Sequence, residues 1–232
     1  MGKRLITQRR GRGTSPTYRS PSHRHLGNLS HHPQDGEGIV EQIVQAPGRS
    51  APVAIVRYGK ARVLLIAPDG LEVGQTVTTG KPVIERGSTL AMGSIPEGTL
   101  IYNIEQQPRD GGKLVRAAGA TALIISQGDR TTVQLPSGLI KDFNPNCRAT
   151  VGVVSGAGRG EKPFYKAGKK FFAYRSTAKA YIKVRGVAMN PVNHPHGGGA
   201  HQHVGRPSTV GRGASPGRKV GRLSPQRKKK VK

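Results

Sequence analysis

Four of the eight histidines of this 232-residue chain lie close together in the segment NHPHGGGAHQH. They are His194, His196, His201 and His203. Imidazole can coordinate zinc, act as a general base, or stack on unpaired RNA bases and donate to phosphates. The spacing therefore indicates one of three kinds of site: a metal site, a catalytic site or a site of RNA contact.

The residues around these histidines favour RNA contact. The segment holds no cysteine, and Glu161 is the last acidic residue of the chain, so no carboxylate nearby in sequence supports a zinc ligand or orients a base. Gly197, Gly198 and Gly199 have no Cβ and let the backbone approach a polynucleotide closely, while Pro195 limits local disorder. We predict RNA contact, with a zinc site and histidine catalysis as the alternatives.

Charge divides the chain into three parts. The whole chain carries 38 Lys and Arg against 12 Asp and Glu, a formal net charge of +26, whereas a soluble domain usually holds about 2 to 8. Residues 35–161 are nearly neutral at +1, residues 1–34 carry +7, and residues 162–232 carry +18. A neutral body with basic ends is typical of a nucleic-acid-binding protein and argues against an ordinary metabolic enzyme.

Both ends of the chain are poor in core-forming residues. Leu, Ile, Val and Phe supply 4 of residues 1–34 and 5 of residues 193–232, below the roughly 20% under which a charged segment stays unfolded. We expect basic arms that order on RNA, the alternative being solvated tails, because guanidinium groups pair with phosphates and stack on bases. The predicted contacts in the arms, besides the histidines and glycines above, are Arg9, Arg10, Arg12, Tyr18, Arg19, His23, Arg24, Arg206, Arg212, Arg218, Lys219 and Arg222.

The middle of the chain predicts short strands joined by turns. Segments such as APVAIVRYGK and ARVLLIAPDG are rich in Val and Ile and end in Gly turns. No long amphipathic helix separates them, which favours two small β-barrels at about residues 35–84 and 86–185. Helical turns are expected only near YKAGKKFFAYRSTAKA. Cys147 is the single cysteine, so an internal disulfide is excluded, and we expect its side chain to be buried or half-buried.

The basic N-terminus lacks the apolar stretch of a secretory signal, and no apolar run approaches the roughly 20 residues that span a bilayer. A cytoplasmic location is the expectation.

The sequence RGVAMNPVNHPHGGGAHQHVGRPSTVGRGASPGRKVG, which begins at Arg185, closely resembles the signature of the universal large-subunit ribosomal protein family called "L two". The similarity covers nearly the whole chain, including GRGTSPTYRS, VEQIVQAPGRSAPVAIVRY and GKLVRAAGATALIIS. The AHQH and RKVG stretches resemble the archaeal and eukaryotic branch. Asn193 stands where bacterial members of the family have Asp, which removes a local carboxylate from the histidines.

This resemblance implies a mainly β fold, with an OB-like barrel at 35–84, an SH3-like barrel at 86–185, and basic extensions at 1–34 and 186–232. It implies a structural, non-enzymatic constituent of the large ribosomal subunit and a primary binder of its 23S-type rRNA. Support of subunit association, tRNA binding and the architecture of the peptidyl transferase centre is also implied, with HPHGGG reaching toward that centre.

The implied partners are rRNA, other ribosomal proteins and the small subunit, with neither a membrane nor a small-molecule substrate. No cofactor is expected apart from Mg²⁺ that accompanies the RNA. The rival interpretations are peptidyl transfer assisted by His194, a zinc protein, and a free RNA chaperone.

Overall fold

The computed structural model describes residues 22–177 and 181–223. Their backbone divides into two compact units, of which one contains residues 22–169 and the other the described residues from 170 onward. The predicted contacts Arg9, Arg10, Arg12, Tyr18 and Arg19 lie outside the described residues, as does the C-terminal RKKKVK.

The first barrel consists of four antiparallel strands. They are β1 Gly36–Val44, β2 Val53–Tyr58, β3 Ala61–Ile66 and β4 Thr76–Thr79, in the spatial order β3-β2-β1-β4. Gly59, at φ +58°, occupies the tight turn between β2 and β3, where a left-handed residue matches the twist of the two strands. Strand β2 is covered on both faces, since Val53 is buried in the junction core and Val56 in the core of the first barrel, which suits its Val- and Ile-rich sequence.

The second barrel continues the same sheet. Its strands are β5 Thr89–Ala91, β6 Leu100–Tyr102, β7 Ala122–Ser126, β8 Thr131–Gln134, β9 Ile140–Phe143 and β10 Arg148–Val151, in the order β5-β10-β6-β7-β8-β9. A single parallel pair, Thr79 with Thr89, joins β4 to β5 and so connects the two barrels. The mainly β architecture predicted from the sequence is confirmed.

Apolar side chains fill each barrel and also the junction between them. Cys147 is fully buried in the second barrel, as predicted. At the junction, Val53 and Ile66 of the first barrel pack with Tyr102 and Val154 of the second. The hydroxyl of Tyr102 donates to the carbonyl of Ile66 over 3.1 Å, which satisfies the one polar atom that this ring buries. The shared core fixes the two barrels as one body.

Residues 24–32, called the strap here, run along both barrels, although the sequence analysis placed them in the N-terminal arm. Leu29 and His31 are buried, and three arginines donate to strap carbonyls. Charge-assisted hydrogen bonds of this kind are stronger than neutral ones. The bonds run from Arg49 Nη2 to the carbonyl of Gly27 (2.7 Å), from Arg116 Nη2 to that of Leu29 (3.2 Å), and from Arg148 Nη1 to that of His32 (2.7 Å).

A buried carboxylate, that of Glu105, organises the turn beneath the strap. The side chain of Glu105 is 0% exposed, and each of its oxygens accepts two hydrogen bonds. Oε1 accepts from Gly111 N (3.1 Å) and Arg148 Nη2 (3.2 Å), and Oε2 from Arg109 N (3.0 Å) and Arg148 N (2.9 Å). Burial pushes the pKa of Glu105 upward, but these donors and the charge of Arg148 outweigh it, so the pKa lies below its ordinary value.

His31 docks the strap onto the same turn. Its backbone N–H donates to the carbonyl of Gly111 (3.2 Å), and its ring Nε2 donates to the carbonyl of Asn103 (2.8 Å). Burial lowers the pKa of His31 to about 4, so the ring is neutral at neutral pH.

The expectation that helical turns occur only in the segment YKAGKKFFAYRSTAKA is wrong, because single 3-10 turns also lie at Ser22–Arg24, Met92–Ser94 and Gly186–Ala188. The longest helix, α1 (Ala167–Ser176), does lie within the predicted segment. Beyond it, residues 181–223 contain a 3-10 turn, Gly186–Ala188, and a short parallel pair formed by β11 Thr209–Val210 and β12 Arg222–Leu223. Within the described ranges, every helix is too short or too polar to traverse a lipid bilayer.

Candidate nucleic-acid interface

The HPHGGG segment is folded as consecutive tight turns. The carbonyl of Asn190 accepts from the backbone N–H groups of Asn193 (2.9 Å) and His194 (3.2 Å), and the carbonyl of His194 accepts from Gly197 N (2.9 Å). A Cβ on Gly197 would overlap the backbone carbonyls of Met189 and Asn190. Glycine at this position is therefore required by the close approach of the protein's own backbone.

His194 and His196 form one half-buried pair. Their ring centroids lie 5.0 Å apart, edge to face, and the backbone N–H of His196 donates to Nδ1 of His194 (3.0 Å). Burial, together with the charge of His196, lowers the pKa of His194. Because Nδ1 accepts, the neutral ring carries its proton on Nε2, which can donate to a phosphate or ribose oxygen. Gly186 lies against this ring, and a Cβ there would collide with it.

His201 and His203 form a second pair, which is exposed. Their ring centroids lie 4.6 Å apart, and a hydrogen bond of 2.7 Å joins Nδ1 of His203 to the carbonyl of His201. Across the described residues, no three His, Cys, Asp or Glu side chains come together as they would around a metal ion. The structure thus brings the four predicted histidines into two separate ring contacts.

A cleft of about 330 Å³, called the basic groove here, lies beside the first histidine pair. His196, Arg206 and Arg218 line it together with the hydroxyl-bearing residues Thr209 and Ser215. Arg206 and Arg218 are exposed, and no carboxylate lines the groove. Two guanidinium groups, an imidazole and two hydroxyls are all suited to phosphate oxygens, so the groove can hold an anion such as a phosphodiester.

The remaining predicted C-terminal contacts lie between β11 and β12 or, for Arg222, at the start of β12. Arg212 and Arg222 are exposed, while Lys219 is half-buried. The ammonium group of Lys219 donates to the carbonyl of Arg212 (2.8 Å), and the backbone N–H of Arg222 donates to the carbonyl of Ser208 (2.9 Å). Lys219 therefore helps to shape the turn, and its contact with RNA stays a prediction.

The two predicted contacts at the start of the strap lie on the barrel unit. His23 is exposed and Arg24 is half-buried, and both belong to the 3-10 turn Ser22–Arg24. The carbonyl of Arg24 accepts from Gly48 N over 2.8 Å, which ties this turn to the first barrel.

Helix α1 presents aromatic and basic side chains that the sequence analysis did not include among the site residues. None of its residues is buried, Phe172 is 64% exposed, and nearby Tyr165 is 84% exposed. Lys170 Nζ lies 5.8 Å from the ring centre of Tyr174, within cation–π range. The pattern KKFFAYR was the available signal. Phe171 and Tyr174 contact the ring of Tyr181 edge to face, while the exposed ring of Phe172 can meet an external partner.

A neutral β-barrel body and an acid-free, arginine-rich segment built of tight turns define the class as a structural RNA-binding protein. Comparison with known families agrees. Residues 3–79 match "Ribosomal Proteins L2, RNA binding N-terminal domain", and residues 85–219 match "Ribosomal Proteins L2, C-terminal domain". The chain belongs to the ribosomal protein L2 family, as its sequence signature predicted.

Several archaeal proteins are similar to the chain over nearly its full length. Large ribosomal subunit protein uL2 of Picrophilus torridus is 54% identical, with 99% of each chain covered. The protein of the same name from Methanothermobacter thermautotrophicus is 54% identical over 98% of each chain. That from Thermoplasma acidophilum is 51% identical over 99% of this chain and 98% of its own.

Proposed function

We propose that this chain is a structural constituent of the large ribosomal subunit and a primary binder of its 23S-type rRNA. The observation that carries the proposal is the basic groove, in which Arg206 and Arg218 flank His196 with no carboxylate nearby. The mutual repulsion of such a cluster is relieved when an anion binds between its charges. The names of the matching family and of its archaeal relatives also refer to RNA binding and to the large ribosomal subunit, which supports the proposal.

The mechanism follows from the division of charge. The nearly neutral barrels form a rigid body, and the basic extensions supply the phosphate contacts. Each phosphate that is neutralised releases counterions, so the logarithm of affinity falls with a slope of about 0.7 to 0.9 per contact against the logarithm of salt concentration. The predicted barrels at residues 35–84 and 86–185 and the basic extensions at 1–34 and 186–232 belong to this proposal, with residues 24–32 of the first extension docked on the barrels as the strap.

The histidine pairs serve as RNA contacts and not as catalytic groups in this proposal. The Nδ1 atom of His194 already accepts the N–H of His196, which leaves only a donor at Nε2. Through the HPHGGG turn the protein supports the architecture of the peptidyl transferase centre, tRNA binding and subunit association. Contact with the small subunit and with other ribosomal proteins, a cytoplasmic location, and Mg²⁺ associated with the RNA as the only ion are part of the same proposal.

Crosslinking at nucleotide resolution tests the binding sites in the assembled particle. Crosslinks from both basic extensions to large-subunit rRNA, with cosedimentation at physiological salt, are expected. A chain that leaves the subunit and binds RNA of any kind would instead be a free RNA chaperone.

The non-enzymatic role is tested separately by His194→Ala in particles assembled to normal stoichiometry. We expect an unchanged rate of peptide-bond formation, because Nδ1 of His194 already accepts the N–H of His196 and no carboxylate follows Glu161 in the chain to orient the ring as a base. A large fall in that rate with normal assembly would contradict this.

A further inference from the structure

A second cleft, of about 490 Å³, opens on the barrel unit where β4, β5 and β10 meet, and is called the interbarrel cleft here. Its lining includes three prolines together with Asp35, Arg109 and Asn146. All three polar residues are exposed. The volume lies within the range of about 300 to 1,000 Å³ that is typical of small-ligand sites. None of the site residues predicted from the sequence lines it.

The walls of this cleft do not suit an extended peptide. Pro33, Pro82 and Pro108 have no N–H to donate, and they line the cleft together. The N–H of Gly80 already donates to the carbonyl of Thr89 over 2.8 Å. Peptides that add to a sheet edge are held by main-chain hydrogen bonds, and these four residues offer no free N–H for them. Proline rings can instead pack against a flat apolar face, such as that of a base.

Two charged residues of the cleft, Asp35 and Arg109, have close contacts that involve the backbone. The carboxyl group of Asp35 lies so close to Gly80 that a Cβ at position 80 would overlap it. Arg109 has a left-handed backbone, φ +66°, and its N–H donates to the buried Oε2 of Glu105 (3.0 Å). Non-glycine residues in this conformation cost free energy and cluster at ligand clamps.

The guanidinium group of Arg109 is also unpaired. Among the described residues, no carboxylate lies within ion-pair distance of it, whereas Arg148, which lines the same cleft, is paired with Glu105. An unpaired arginine that lines the same cleft as a carboxylate and an amide matches the phosphate and the polar edge of one nucleotide.

We propose that the interbarrel cleft binds a single unstacked nucleotide of RNA, with its base against the prolines, its polar edge at Asp35 and Asn146, and its phosphate at Arg109. A carboxylate only accepts hydrogen bonds, so the base must present N–H groups. Guanine, which offers two adjacent N–H donors, suits Asp35 best. The inference rests on the proposed function, since the nucleotide belongs to the rRNA that the chain binds.

Chemical probing of the rRNA bound to the full-length chain tests this inference. Reagents that read guanine N1 and N2 and the ribose 2′-hydroxyl are compared for the parent, Asp35→Asn and Arg109→Gln. The matched controls are Asp129→Asn and Arg130→Ala, two exposed residues in the turn between β7 and β8, outside the cleft. Because both cleft residues are exposed, thermal unfolding of all four variants is expected to match that of the parent.

We expect one unpaired guanine to be protected by the parent and by both controls, and to lose that protection in Asp35→Asn. Loss of a bidentate contact of this kind raises Kd about 5- to 150-fold. Arg109→Gln is expected to weaken binding and to reduce its salt dependence by about one phosphate contact. Footprints and affinities within about twofold of the parent for both cleft variants would overturn the inference.

The inference would also be overturned if the cleft residues were covered only in the whole subunit, and by another protein. The cleft would then be a binding site for a polypeptide. In either case strong, salt-dependent binding of the parent chain to rRNA would leave the proposed function intact. Absence of that binding would overturn the proposed function first.

Discussion

Replacement of Glu105 by glutamine should be among the most damaging isosteric changes in the barrel unit. Each carboxylate oxygen of Glu105 accepts two hydrogen bonds, and an amide retains only one oxygen. The new NH₂ group would face two N–H donors, each of which costs about 1 to 3 kcal/mol when left unsatisfied. The side chain of Arg148, 13% exposed, would also lose its counter-charge.

The expected loss in the free energy of unfolding is about 3 to 5 kcal/mol, the range measured when one partner of a buried ion pair is removed. For a unit of this size, the loss corresponds to a fall in Tm of about 6 to 20 °C. Urea and thermal unfolding of the free full-length chain, followed by far-ultraviolet circular dichroism at pH 7, measure both quantities.

Glu41→Gln is the matched control. Glu41 contacts Arg57 (3.2 Å) and Arg62 (2.8 Å), but these arginine side chains are 52% and 72% exposed. Exposed ion pairs contribute about 0 to 1 kcal/mol, so this variant should unfold almost like the parent. If Glu105→Gln lost no more stability than Glu41→Gln, the assignment of Glu105 as the organiser of the turn beneath the strap would be refuted.

Three further changes test other parts of the structure. Burial lowers the pKa of His31 from 6.5 to about 4. Between these pH values the unfolded state binds a proton that the folded state does not, so the free energy of unfolding should rise by about 2 to 3 kcal/mol from pH 4 to 6.5. In urea titrations, His31→Gln should remove this part of the pH dependence. Arg206→Ala and Arg218→Ala should each lower the salt slope of rRNA binding by about 0.7 to 0.9, whereas unchanged slopes would mean that the groove holds no phosphate. Gly197→Ala should destabilise the HPHGGG turn by about 1 to 3 kcal/mol, because the new Cβ would meet two carbonyl oxygens. The loss should be seen as faster amide hydrogen exchange in this turn. Gly213→Ala is the control: a Cβ at position 213 would meet open space, so this variant should exchange like the parent.

The strand pattern and the charge distribution were readable from the sequence because both are local properties. Short segments rich in Val and Ile that end in Gly turns predict the strands of small barrels. Helix α1 likewise lies inside the segment expected to be helical. The carboxylate-free stretch after Glu161 likewise predicted arginines without acidic neighbours in sequence, and the basic groove has this composition.

The strap and the interbarrel cleft were not readable, because they depend on contacts between distant residues. A segment poor in apolar residues is expected to lie free in solvent, yet arginines 22 to 116 residues away hold its carbonyls. From composition alone, such arginines are interpreted as RNA-binding charges. Composition does not reveal that they donate hydrogen bonds to carbonyl groups of the protein itself. The left-handed conformation of Arg109 depends in the same way on the buried Glu105.

The strap also sets an order of events during synthesis of the chain. His32 is made 116 residues before Arg148, the last of its hydrogen-bonding partners to be made. At about 5 to 20 residues per second, the N-terminal segment waits roughly 6 to 23 s for its docking surface. During that interval the basic N-terminal segment of the nascent chain is not docked on the barrels. The junction between the barrels forms only after the second barrel has been translated.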